Sequence, residues 1–133
     1  MCAFKHSRQH YSRSQHGWRE FAGGKKYFMR SGWEWNYGLY LDFLVKQRQI
    51  KSWEYEVDTF WFLKIMRGTR SYTPDFKITN PDGSIEYHEV KGYMDQRSAT
   101  KLKRMRIYYP KIKILLIDKS AYNGIMKSKK LFW

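Results

Sequence analysis

Tyr72-Thr73-Pro74-Asp75-Phe76-Lys77-Ile78-Thr79-Asn80-Pro81-Asp82-Gly83-Ser84-Ile85-Glu86-Tyr87-His88-Glu89-Val90-Lys91-Gly92 is the stretch that decides the fold. Its two ends, 72–79 and 84–91, carry the aromatic and β-branched residues of strands. Asn80-Pro81-Asp82-Gly83 between them is a strong turn signal, so the two runs predict a β-hairpin. Alternation along the second strand puts Tyr87, Glu89 and Lys91 on one face and His88 and Val90 on the other. Asp75 comes from the neighbouring strand, after a proline that fixes the backbone. Two carboxylates and an ammonium then surround one point. Carboxylate oxygens suit Mg²⁺ or Mn²⁺, and a lysine beside them can hold a phosphate oxygen or a water. The plain alternative for Glu89 and Lys91 is an ion pair on an exposed face. Gly92 permits close approach of a backbone or ligand.

Working outward, Trp33, Tyr37, Tyr40 and Leu44 recur at helical spacing and predict a helix over about 31–49. Ser31-Gly32-Trp33-Glu34 at its start matches a capping box, in which the acid reaches back to a backbone N–H. The same spacing leaves Glu34 open to a second role, as a metal ligand or water-positioning acid delivered onto the sheet. Residues 53–66 read as a strand, and Arg67-Gly68-Thr69-Arg70 as a turn. Asp95 is a plausible N-cap for a helix over 96–109, with Ser98, Leu102, Met105 and Tyr109 on one face and Pro110 as its stop. Ile112 to Ile117 reads as a buried strand and 119–130 as a basic terminal helix. The predicted order is α-β-β-β-α-β. Residues 1–30 read as a basic, weakly structured arm. Seven cations, Lys5, Arg8, Arg13, Arg19, Lys25, Lys26 and Arg30, face one acid, Glu20, in either a solvated tail or a DNA-contacting segment.

A chain of 133 residues predicts one domain with a real core, and 42% hydrophobic content with 19% aromatics excludes a disordered chain. The formal charge of +14 points to a polyanionic partner, nucleic acid first and an anionic membrane surface second. No run approaches the roughly 18 apolar residues of a membrane span. The N-terminal stretch lacks the apolar core of a secretory signal, and the one cysteine, Cys2, fits a reducing, cytoplasmic compartment. Cys2, His6, His10 and His16 match no standard zinc spacing. Lys101, Lys103, Arg104 and Arg106, then Lys127, Lys129 and Lys130, are read as phosphate contacts, because Asp118 is the one acid from residue 101 onward. Solvated faces are the ordinary alternative. The tryptophans and tyrosines are read mostly as core, with Trp133 exposed. No recognition helix or zinc finger is present, so selection of DNA shape is favoured over base reading.

Arg30-Ser31-Gly32-Trp33-Glu34, Tyr72-Thr73-Pro74-Asp75-Phe76 and Glu89-Val90-Lys91-Gly92 together resemble the PD-(D/E)XK nuclease superfamily. Within it the chain is most similar to the phage endonuclease I type of Holliday-junction resolvase. The likeness runs from about Arg30 to Asp118. It implies an α/β, restriction-endonuclease-like core with a mixed sheet over 31–133, behind the arm at 1–30. Carried over by position, Glu34, Asp75, Glu89 and Lys91 are the catalytic set. One or two Mg²⁺ or Mn²⁺ ions would be held by Asp75, Glu89 and the Val90 carbonyl, with Glu34 nearby. Lys91 would orient the attacking water. Arg30, Lys101, Arg104, Lys127 and Lys130 are the expected DNA contacts. The resemblance further implies a homodimer, strand-swapped through 53–71, cutting branched DNA in the host cytoplasm if phage-encoded. The Asp75-to-Glu89 spacing is longer than in the nearest relatives. Other readings are cleavage of nicked or linear duplex or of transposon ends, or a non-catalytic DNA-binding protein whose acids form salt bridges.

Overall fold

The computed structural model describes residues 16–128. Its elements are β1 (Gly17–Glu20), β2 (Lys26–Met29), α1 (Gly32–Lys46), β3 (Ser52–Tyr55), β4 (Phe60–Trp61), β5 (Ser71–Tyr72), β6 (Phe76–Thr79), β7 (Ile85–Val90), α2 (Gln96–Tyr108), β8 (Ile114–Ile117) and α3 (Lys119–Lys127). The fold is mixed α/β. A four-stranded sheet runs in the order β3-β6-β7-β8. Its first two pairings are antiparallel and the last, β7 with β8, is parallel. Helix α1 precedes this sheet and α2 connects β7 to β8, giving the predicted α-β-β-β-α-β order. Among the described residues no helix is long and apolar enough to cross a membrane.

The Asn80–Gly83 turn does what its residues predict. Asn80 N–H donates to the Ser84 carbonyl at 2.8 Å, and Ser84 N–H donates to the Asp82 carboxylate at 2.9 Å. This sets the β6–β7 register, with Phe76 opposite His88 and Thr79 opposite Ile85. Alternation then sorts side chains between two cores. Trp53, Tyr55, Phe76, Ile78, Val90 and Ile117 pack with Tyr37 and Leu41 of α1 and Tyr122 and Met126 of α3. Phe62, Tyr72 and Met105 anchor a smaller core on the other side, with Leu102, Tyr108 and Ile114 against it. The sheet therefore lies between α1 and α3 on one face and α2 with the β4–β5 ribbon on the other. His88 faces α1, where its Nδ1 lies 2.7 Å from the Tyr37 hydroxyl.

Four expectations need correction. Residues 17–29 are a β-hairpin, β1 against β2, rather than a weakly structured arm. Phe21 and Met29 give it a buried anchor. Phe21 fits against Gly38 of α1, where a Cβ would lie 2.6 Å from the ring. Asp42 completes the junction by accepting from Ala22 N–H and Trp53 Nε1–H, each at 3.0 Å. Second, 53–66 is two short strands, because Glu56 takes φ +49° and turns the chain out of the sheet. Third, 72–79 is interrupted at Thr73-Pro74-Asp75, where proline has no N–H for the ladder. Fourth, β8 is an edge strand with Leu115 and Leu116 exposed, not a buried one. The buried face of α1 is also rotated from the predicted stripe, running through Glu34, Tyr37, Gly38 and Leu41.

Candidate metal centre

Both interruptions of the strand pattern open onto one site. Asp75 sits in the break before β6, where its Oδ2 accepts from Val90 N–H at 2.9 Å. Glu89 Oε1 accepts in return from Asp75 N–H at 3.2 Å and from the Tyr72 hydroxyl at 2.8 Å. Asp75 and the Glu89–Val90 pair are thus tied through backbone N–H groups on both sides, Val90 N–H to the Asp75 carboxylate and Asp75 N–H to the Glu89 carboxylate. Glu34 arrives from the first turn of α1. Ser31 caps that helix by accepting from Glu34 N–H at 3.2 Å, and Glu34 Oε1 accepts from Arg30 N–H at 3.1 Å. The capping role read from the sequence is real, and the same carboxylate faces Asp75. Glu56, at the outward turn after β3, donates its N–H to the Asp75 carbonyl at 2.8 Å. Carboxylate oxygens of Glu34, Glu56 and Asp75 lie within 4.8 Å of one another.

Burial, together with neighbouring carboxylates, disfavours ionisation of Glu34, Asp75 and Glu89. Burial is the largest effect on Glu34, whose pKa is raised, with Glu56 adding to the rise and a hydrogen bond with Asp75 opposing it. Asp75 is driven well above the ordinary carboxylate range, first by burial, then by the charges of Glu89 and Glu34. Burial also raises Glu89, against hydrogen bonds from Tyr72 and Asp75 and the nearby Lys91 charge. The Tyr55 hydroxyl is buried and, among the described residues, reaches no partner in hydrogen-bonding geometry. Burial and the charges of Glu34, Glu56 and Asp75 hold it protonated. Clustered hard oxygen donors with uncompensated negative charge fit a divalent cation. Arg30 Nε meets Glu56 at 2.9 Å, but its side chain is 69% exposed, so this neutralises the rim rather than the centre.

The predicted residues are partly gathered here. Glu34 and Asp75 belong to the close group. Glu89 borders it, turned toward Tyr72 and the Asp75 amide. Val90 fixes Asp75 through its N–H. Lys91 follows on the strand and lines a small cleft with Tyr72, Glu89 and Lys101. Of the expected DNA contacts, Lys101 reaches the site margin and Arg30 its rim. Arg104 is occupied differently, its guanidinium donating to the Thr69 carbonyl. Lys127 is exposed at the end of α3. Lys130, Lys129 and Trp133 lie outside the described residues, as do Cys2, His6 and His10. Sequence reading missed Glu56, Tyr55 and Tyr72. The Trp53-Glu54-Tyr55-Glu56 alternation marked a strand, but no glycine or asparagine marked the positive φ that swings Glu56 to the acids. The chain matches no family model, no curated protein and no solved structure.

Proposed function

We propose that the protein is a metal-dependent endonuclease with a PD-(D/E)XK, restriction-endonuclease-like core, cutting branched DNA such as four-way junctions. The observation that carries this reading is the Glu34–Glu56–Asp75 cluster, buried at Glu34 and Asp75, in a chain of charge +14. Acids gathered in so basic a protein suit a bound cation, and the surrounding charge suits a polyphosphate. The α-β-β-β-α-β order and the emergence of Glu89 and Lys91 from one strand end support the superfamily.

In this reading Glu34, Glu56 and Asp75 hold Mg²⁺ or Mn²⁺, with Glu89 at the margin. The bound ion supplies Lewis-acid polarisation of a phosphoryl oxygen. Lys91 holds a phosphate oxygen and offsets charge that develops on phosphorus. Glu89, its basicity raised by burial, takes a proton from the attacking water. Water adds to phosphorus as the bond to the 3′-oxygen breaks, and solvent protonates the departing oxygen. The products are a 5′-phosphate and a 3′-hydroxyl. Tyr72 fixes one oxygen of Glu89 through its 2.8 Å hydrogen bond. Two copies exchanging 53–71 would place two sites on a two-fold junction. The exposure of Trp61, Leu63 and Met66 within that segment supports such an exchange.

A second reading, a DNA-binding protein without catalysis, is favoured by the Arg30–Glu56 ion pair, which occupies one acid without metal. Cleavage assays separate the two. Labelled four-way junction, nicked duplex, linear duplex and single strand are incubated with Mg²⁺, Mn²⁺ or EDTA, beside Asp75→Ala. Paired metal-dependent cuts near the junction centre, lost in Asp75→Ala, are expected. Equal cutting of every duplex would discard junction selectivity. Binding without cutting under either metal would establish the second reading.

A further inference from the structure

A groove of about 720 Å³ opens beside the acid cluster, sharing Glu34 with it and lined also by Val90 and Lys91. That size lies within the range of small-ligand clefts, roughly 300–1,000 Å³. Its aromatic side is built rather than incidental. The Trp33 ring stacks on Tyr122, with centroids 4.0 Å apart and planes 4° from parallel. On another side Gly92 lies against Trp33 so closely that a Cβ there would meet the ring at 2.9 Å. Trp33 is therefore fixed between α3 and the end of β7. Tyr93, the next residue, also lines the groove and is 69% exposed, so its ring is open to a ligand.

The groove's charges sort by sign. Glu34 is engaged by Arg30 N–H and the cap of α1, and Asp95 accepts from Ser98 N–H at 2.7 Å as the cap of α2. Lys91 and Lys119 supply the positive side, beside an Arg30 already paired with Glu56. Aromatic surface beside cations, continuous with a site for a phosphodiester, suits one occupant.

We infer that this groove takes an unstacked nucleotide flanking the scissile phosphate, its base on Tyr93 and its phosphate toward Lys119. The inference rests on the nuclease reading and specifies its substrate. A base within intact duplex is stacked on both faces and must leave the helix to reach Tyr93. Branch points and nicks already supply loosened bases, so the groove selects them through the lower unstacking energy. Recognition through stacking tolerates any base.

The test uses the full chain and a four-way junction with the cut position mapped in Mg²⁺. Tyr93→Ala, Tyr93→Phe and wild type are compared on intact junction and on junctions abasic at each nucleotide flanking the cut. Tyr93→Ala is expected to lower kcat/KM about tenfold, the scale of one base–aromatic stack, while Tyr93→Phe retains it. One abasic position should lower the wild-type value similarly and leave Tyr93→Ala with no further loss. Circular dichroism checks that the variants fold as wild type does. Equal rates for Tyr93→Ala and wild type on intact and abasic junctions would overturn the inference alone. Absence of wild-type cleavage with either Mg²⁺ or Mn²⁺ would overturn the nuclease reading and the inference with it.

Discussion

At Asp75 the demands of stability pull against those of the proposed metal centre. Its carboxyl is buried beside Glu34 and Glu89, and burial raises the pKa of all three, that of Asp75 furthest. The folded state therefore keeps protons that the unfolded chain releases near pH 4. These groups favour the fold fully below that pH, and the advantage is lost as pH rises through their raised folded values. As pH rises through those values, the metal-free centre takes on charge that its burial disfavours. Asp75→Asn should accordingly raise the melting temperature of metal-free protein at pH 8, by roughly 3–6 °C, and should narrow that gap toward pH 4. Mn²⁺ should stabilise wild type and leave Asp75→Asn nearly unmoved. His88 works the other way, since burial lowers its pKa and acid favours unfolding. It is present in both proteins, so the difference between them removes its contribution. Scanning fluorimetry reads all of this, and a wild type no less stable than Asp75→Asn at pH 8 without metal would deny the charge conflict. Glu56 needs a separate comparison. Its pair with Arg30 is half in solvent, and such pairs contribute about 1 kcal/mol or less. Arg30→Ala should therefore change folding little. Glu56→Gln should weaken Mn²⁺ binding about tenfold by titration calorimetry, the lower end of what losing a metal-centre partner does. Equal Mn²⁺ affinity in Glu56→Gln and wild type would return Glu56 to a salt-bridge role.

The element that repays attention is the β1–β2 hairpin, because nothing in its sequence announced its attachment. Gly23-Gly24 correctly signalled a break, and the excess of cations obscured Phe21 and Met29, which are buried. The tie is tertiary, since Phe21 needs the missing side chain of Gly38, seventeen residues on. Gly38→Ala puts two effects in competition. Alanine favours a helix over glycine by about 1 kcal/mol. The added Cβ would sit 2.6 Å from the Phe21 ring, and such overpacking costs roughly 1–3 kcal/mol. Overpacking should win, giving net destabilisation in urea unfolding and faster proteolysis within 17–29. Added stability would mean the hairpin shifts freely and is not part of the core. Elements with local signatures were legible by contrast. The α1 and α2 caps at Ser31 and Asp95 and the 80–83 turn each depend on residues within four positions of one another. The run 53–66 was not, because its break depends on Glu56 adopting a backbone angle that its sequence does not encode. Asp75, Glu89 and Lys91 were found because a hairpin register joins them, whereas Glu56 joins only through the interruption of two strands.

Across the whole molecule the +14 charge decides the strength of any DNA contact but not its placement, and the two can be separated. Each phosphate contacted releases counterions, so log affinity falls with log salt by about 0.9 per contact. Composition alone would count Lys101 and Arg104 equally, three residues apart on α2. The fold does not. Lys101 lines the cleft with Glu89 and Lys91, facing the site where phosphate would lie. Arg104 donates to the Thr69 carbonyl and ties down the 62–70 turn, whose ends are joined by Phe62 N–H donating to the Arg70 carbonyl at 2.8 Å. Lys101→Ala should therefore reduce the salt slope of junction binding by about one and leave unfolding unchanged. Arg104→Ala should leave the slope alone and lower stability by roughly 1–3 kcal/mol, since it removes a charged donor from a part-buried carbonyl. Fluorescence anisotropy from 50 to 300 mM salt, with urea unfolding on the same variants, reads both quantities. Equal slope changes in the two variants would mean that charge acts here only as a diffuse field, with no contact set by the fold.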